Sequence, residues 1–92
     1  MIRRLKAKHT EAVKIFPPEG SQARSGTYDV TVLNLDAALG VELVDAEDKV
    51  VGEGFPLAHG ASWDSTTIAA EEVWVVCASG EVELAVSATY VG

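Results

Sequence analysis

Few side chains in this 92-residue chain can act as nucleophile, proton carrier or metal ligand. The histidines are His9 and His59, and Cys77 is the one cysteine. Cys77, His59 and Asp64 supply the three roles of a nucleophilic triad, and His9, His59 and Cys77 together offer zinc-type ligands. Neither set has the local spacing that such sites use, since no H-x-H or C-x-x-C occurs. Cys77 also lies in the apolar run Val75-Val76-Cys77-Ala78. Burial there raises a thiol's pKa and suppresses its nucleophilicity. The better account is a small buried hydrophobe, and a lone cysteine forms no internal disulfide.

The acidic pairs Glu47-Asp48 and Glu71-Glu72 fall in turns. Neighbours in a turn do not converge across a cleft as glycosidase carboxylates do. Asp45, Glu47 and Asp48 lack the glycine and closing glutamate of a calcium loop. Gly52-Glu53-Gly54 has neither the third glycine nor the following helix of a phosphate loop, and reads as a strand bend. Trp74, among apolar neighbours, is expected to pack on a central strand. Trp63 is flanked by Ser62, Asp64 and Ser65. If it faces solvent it is an interface anchor or, with His59, a sugar-stacking surface. Tyr90 is a weaker anchor of the same kind. No catalytic residue, metal or cofactor is expected.

The elements that would position these residues read as strands. Alternation puts Tyr28, Val30 and Val32 on one face of 27–33, with Thr27, Asp29 and Thr31 on the other. Residues 41–45 form a second strand, which turns at Ala46-Glu47-Asp48 and returns through Lys49-Val50-Val51 as a hairpin. Pro56 makes 52–57 an edge strand or extended loop. Residues 62–68 are a β-branched strand. Residues 73–78 are nearly continuous apolar, hence central and covered on both faces. Ser79-Gly80 then reads as the turn of a hairpin into 81–86. The loop at 17–26 follows from Pro17-Pro18 and its turn-forming residues. The leader 1–16 carries both a helical stripe (Ile2, Leu5, His9, Ala12, Val13, Phe16) and a short strand over 11–16. An extended arm ending in that strand is favoured. The expected fold is all-β: a small β-sandwich or barrel of six to eight short antiparallel strands with an N-terminal basic extended arm. Residues 1–16 form the arm and 17–92 the single β-sandwich domain.

Charge separates these two parts. Residues 1–24 hold six basic side chains against two acidic ones, and 25–92 hold Lys49 alone against twelve acids. An acidic body repels phosphate, so no nucleic-acid partner is expected. No apolar stretch is long enough to span a membrane, and Met1-Ile2-Arg3-Arg4 is not followed by the apolar run of a signal peptide. Synthesis in a reducing cytoplasm is expected. The arm either folds back on its own acidic body or meets another chain.

Three stretches carry a family resemblance: Val41-Glu42-Leu43; Gly54-Phe55-Pro56-Leu57-Ala58-His59-Gly60-Ala61-Ser62; and Glu72-Val73-Trp74-Val75-Val76-Cys77-Ala78-Ser79-Gly80-Glu81-Val82-Glu83-Leu84-Ala85-Val86. Residues 34–86 thereby resemble small β-sandwich accessory proteins of tailed-bacteriophage virions. The resemblance implies a non-enzymatic structural protein, most often a capsid decoration protein on the shell exterior. It implies a homo-oligomer, a trimer favoured, whose partner is the major capsid protein or another virion protein. Neck or tail location, or a carbohydrate- or peptide-binding module, are the alternatives. The partner-binding residues expected are Ile2, Arg3, Arg4, Leu5, Lys6 and Lys8 of the arm, with Trp63 and Tyr90.

Overall fold

Inward residues at every second position build the two layers. In one strand Val30, Val32 and Asn34 point inward, and in another Val82, Leu84 and Val86 do; all six are buried. The computed structural model describes residues 2–18, 26–68 and 71–92, the side chain of Ile68 excepted. The segment 19–25 of the expected loop and residues 69–70 of the expected turn lie outside them. The strands are β1 (Ile2–Lys8), β2 (Val13–Phe16), β3 (Thr27–Asn34), β4 (Val41–Val44), β5 (Phe55–Leu57), β6 (Ser62–Ile68), β7 (Val73–Val76) and β8 (Glu81–Tyr90). Among the described residues there is no helix.

One sheet has the order β1-β8-β3-β6 and the other β2-β7-β4-β5, all pairs antiparallel. This is the connectivity of an eight-stranded jelly roll, a two-sheet sandwich. Among the described strands only β4 and β5 are neighbours both in sequence and in a sheet; the other consecutive strands lie in different sheets. The core between the layers includes Ala7, Ile15, Phe16, Val41, Leu43, Leu57, Val73, Val75 and Cys77 besides the six valine, leucine and asparagine positions above.

Three expectations are corrected here. Residues 2–8 are not an appended arm. They are an edge strand in full register with the last strand, from Ile2 opposite Ser87 to Lys8 opposite Glu81. Leu5 packs on the core and Ala7 is fully buried within it, which an arm reaching elsewhere would forfeit. The hairpin 41–45/49–51 does not form. β4 pairs instead with β5, and the connection 45–54 is pinned by Glu42, whose carboxylate accepts the amides of Gly52 (2.9 and 3.0 Å) and Gly54 (3.1 Å). A Cβ at Gly54 would stand 2.4 Å from the Leu43 carbonyl oxygen, so only glycine fits. Third, β7 and β8 do not pair; the Ala78-Ser79-Gly80 turn carries the chain from one layer to the other, and the two strands face each other across the core.

Other features follow the sequence. β7 is central, with Val75 buried on the inner face and Val76 buried on the outer. Pro56 sits on β5, an edge strand.

Asn34 ties the layers. It is fully buried. Its Nδ2 donates to the carbonyls of Leu39 (3.0 Å) and Leu57 (3.2 Å), and its Oδ1 accepts the Asp36 amide (2.9 Å). Its backbone amide donates to Ala61 and its carbonyl accepts from Gly60. Asp36 in turn accepts the amides of Ala38 and Leu39, each at 2.8 Å. Those two backbone bonds, Leu39's first, hold the Asp36 carboxyl below its ordinary pKa.

Two outcomes follow. Deleting residues 1–8 should abolish the cooperative thermal transition; a truncated chain melting within about 5 °C of the parent would show that β1 is dispensable. Asn34→Ala strands two carbonyls and an amide in the interior, costing about 3 kcal/mol, or about 15 °C in melting temperature. A shift under about 3 °C in calorimetry would contradict that role.

Candidate functional site

The groups that could have done chemistry are placed apart. Cys77 is 2% exposed inside the core, and its Sγ donates to the Gly80 carbonyl at 3.6 Å. Burial pushes its thiol pKa up. His9 Nδ1 lies 3.0 Å from the same carbonyl oxygen, so imidazole and thiol meet at a backbone acceptor rather than each other. Asp64 lies on the outer face of its sheet, accepting the Thr31 hydroxyl at 2.6 Å, and His59 is exposed in the turn after β5. The triad Cys77–His59–Asp64 is therefore not assembled. Among the described residues no three His, Cys, Asp or Glu side chains are grouped to hold a metal ion.

The acidic and aromatic residues have structural work. Glu72 accepts Trp74 Nε1 at 3.0 Å and faces Lys14 Nζ at 3.5 Å. The indole bond first, then the lysine charge, keep the Glu72 carboxyl below its ordinary pKa. Lys14 also lies 5.9 Å from the Trp74 ring centroid. Trp74 thus packs on the outside of central β7, half-buried, and not in the core.

The eight expected partner-binding residues divide three ways. Arg3, Leu5 and Trp63 turn inward. Arg3 donates through Nη2 to the Ile15 carbonyl, joining β1 to β2 across the layers, and desolvation there lowers its pKa. Leu5 and Trp63 pack on the core. Trp63 is half-buried on the inner face of β6, so the expected solvent-facing anchor and its sugar-stacking partnership with His59 are not built. Ser62 and Asp64 misled because they occupy the other face of the strand. Arg4, Lys6 and Lys8 remain on the solvent face but have partners: Arg4–Glu83 at 3.2 Å, Lys6–Glu81 at 3.9 Å and Lys8–Glu11 at 3.8 Å. Such exposed pairs contribute little stability and re-pair easily. Ile2 (76% exposed) and Tyr90 (62%) stay open, although the Tyr90 ring leans edge-on against Tyr28 with centroids 5.3 Å apart.

Phe55 on β5 is 57% exposed, beside a proline that marks the strand as an edge without marking its side chains. Its signal was a bulky apolar residue in a strand already marked as an edge. Asn34 and Glu42 were also missed; an asparagine closing an apolar strand and a glutamate facing a Gly-x-Gly segment were the available signs. No protein-family model, curated protein or solved structure matches the chain. What remains is a surface made of strand edges and their exposed apolar side chains.

Cys77 in the folded protein should react with a disulfide exchange reagent at least about a hundredfold more slowly than in denaturant, since its thiolate is disfavoured and enclosed. A rate near the unfolded value at neutral pH would mean an accessible nucleophile.

Proposed function

We propose that the chain is a non-catalytic structural module of a larger assembly, most specifically a capsid decoration protein that docks on a virion shell through its sheet edges. The observation that carries this reading is the placement of exposed large apolar side chains on edge strands: Ile2 on β1 and Phe55 on β5. Exposed apolar residues beside unpaired strand edges are what an added strand or a packed neighbour covers. Two further lines support it. Residues 34–86 resemble phage accessory proteins, and the jelly roll serves capsid proteins as well as lectins and cupins, a likeness of architecture only. A ligand-holding jelly roll needs polar groups aimed into its interior. Here the described interior is valine, leucine, isoleucine, alanine, phenylalanine and Cys77, with Asn34 and Thr67 its buried polar residues.

The basic leader is not the element that reaches the partner in this reading. Its apolar side chains Leu5 and Ala7 are spent within its own sandwich, so attachment falls to the edges. The partner is a shell protein, and acidic residues on the body's solvent face keep it away from packaged nucleic acid.

The test is composition of particles. Virions purified from the genome that encodes this chain should contain it in many copies by quantitative mass spectrometry, with antibody labelling on the head exterior. Labelling at the neck or tail would replace shell decoration with the other virion location. Particles lacking the chain would end the virion reading.

A further inference from the structure

We propose that copies of this chain join head to tail, the β1 edge of one adding to the β6 edge of the next, so that the β1-β8-β3-β6 sheets run continuously from copy to copy. The proposal rests on the reading of the chain as an assembly module and names the first partner as a second copy.

The four edges are not equivalent. In the β2-β7-β4-β5 sheet both edges are blunted: β5 is three residues long and carries Pro56, and β2 is four residues long with a register shift between Lys14 and Phe16. Short strands, proline and bulges are the usual defences against edge pairing. In the β1-β8-β3-β6 sheet both edges are seven residues long and free of proline and glycine. Among the described residues β6 pairs with β3 on one side and with no strand on the other. Its sequence Ser-Trp-Asp-Ser-Thr-Thr-Ile favours extended backbone and carries no lysine guard.

Direction and charge select the pairing. Strand directions alternate through the sheet, since every neighbour pair is antiparallel. A copy set beside β6 in the same orientation therefore presents its β1 antiparallel, with no inversion. The solvent face of β1 bears Arg4, Lys6 and Lys8. The solvent face of β6 bears Asp64, with Asp29 of β3 beside it, bonded to the Thr66 hydroxyl at 3.0 Å. Pairing β1 with β1 would oppose lysines and arginines, and pairing β6 with β6 would oppose Asp64 residues; like charges opposite one another are unfavourable. Pairing β1 with β6 opposes unlike charges. An interface of this unlike kind closes into a ring or extends as a filament.

Sedimentation at low ionic strength should show concentration-dependent association that weakens as salt rises. Asp64→Lys alone, and Arg4→Glu with Lys6→Glu in one chain, should each weaken association about tenfold or more, while an equimolar mixture of the two variants restores it. A retained cooperative melting transition in each would confirm folding, as all three side chains are exposed. Amides of β6 should gain exchange protection in the assembled state. A monomer at every soluble concentration would overturn the proposal, as would sensitivity to reversal at one edge only, which marks like-with-like pairing. A monomer that still decorates particles leaves the structural-module reading standing; assembly without particle binding does the reverse.

Discussion

A single buried amide holds the two layers in register. Asn34 ends β3 in one sheet, and its side chain reaches the carbonyl of Leu57 at the end of β5 in the other. The same amide fixes the connection that leaves β3, through Leu39 and Asp36. A polar side chain in an apolar interior is tolerated because its donors and its acceptor are all used. Without it the Leu57 carbonyl would lose its side-chain partner in the buried interior, and the Leu39 carbonyl and Asp36 amide would lose theirs at the interior's margin. The sandwich is built largely from valines, whose packing is non-directional and would accept several offsets of one sheet on the other. Asn34, together with the Arg3 bond from β1 to β2, supplies the direction that selects one.

Glu42 performs the corresponding task on the outside. Its carboxylate gathers the Gly52 and Gly54 amides and folds the 45–54 connection back toward β4. Val44 and Val76 are buried although they stand on the outer side of their sheet. The outer side of that sheet is thus partly covered around Val44 and Val76, while the β1-β8-β3-β6 sheet keeps a polar outer face of ion pairs and threonine–aspartate bonds. The two sheets therefore differ in what they can offer a neighbour. One is shielded and blunted, the other exposed, charged and open at both ends.

The legible part of the sequence was its alternation. Strands 27–34, 62–68 and 81–90 show clean inside–outside periods or β-branched composition, and Val73–Val76 was central as its unbroken apolar run required. The leader was ambiguous for a specific reason. Its inward positions are Arg3, Leu5 and Ala7, and an arginine among them hides a period of two; only the Ile15 carbonyl explains why Arg3 points inward. Val50-Val51 resembled a strand because it is apolar and β-branched, whereas it belongs to the connection that Glu42 folds back. Ser79-Gly80 resembled a hairpin turn because spacing alone does not distinguish two strands lying side by side from two lying face to face. Of the expected interaction residues, Ile2 and Tyr90 are exposed in the fold, although no pattern in the sequence required it. Trp63 is turned inward, and its polar neighbours describe the opposite face of β6.

Pairing of the first strand with the last has a consequence for how the chain comes into being. Ile2 meets Ser87, and Lys8 meets Glu81. A nascent polypeptide therefore holds Leu5 and Ala7 without their sheet neighbour until residues 81–87 have been added. Its one local hairpin, β4 with β5, comes from the shielded sheet. Closure of the charged sheet waits for β8 to be made, and the Lys6 and Lys8 charges help keep the waiting leader soluble.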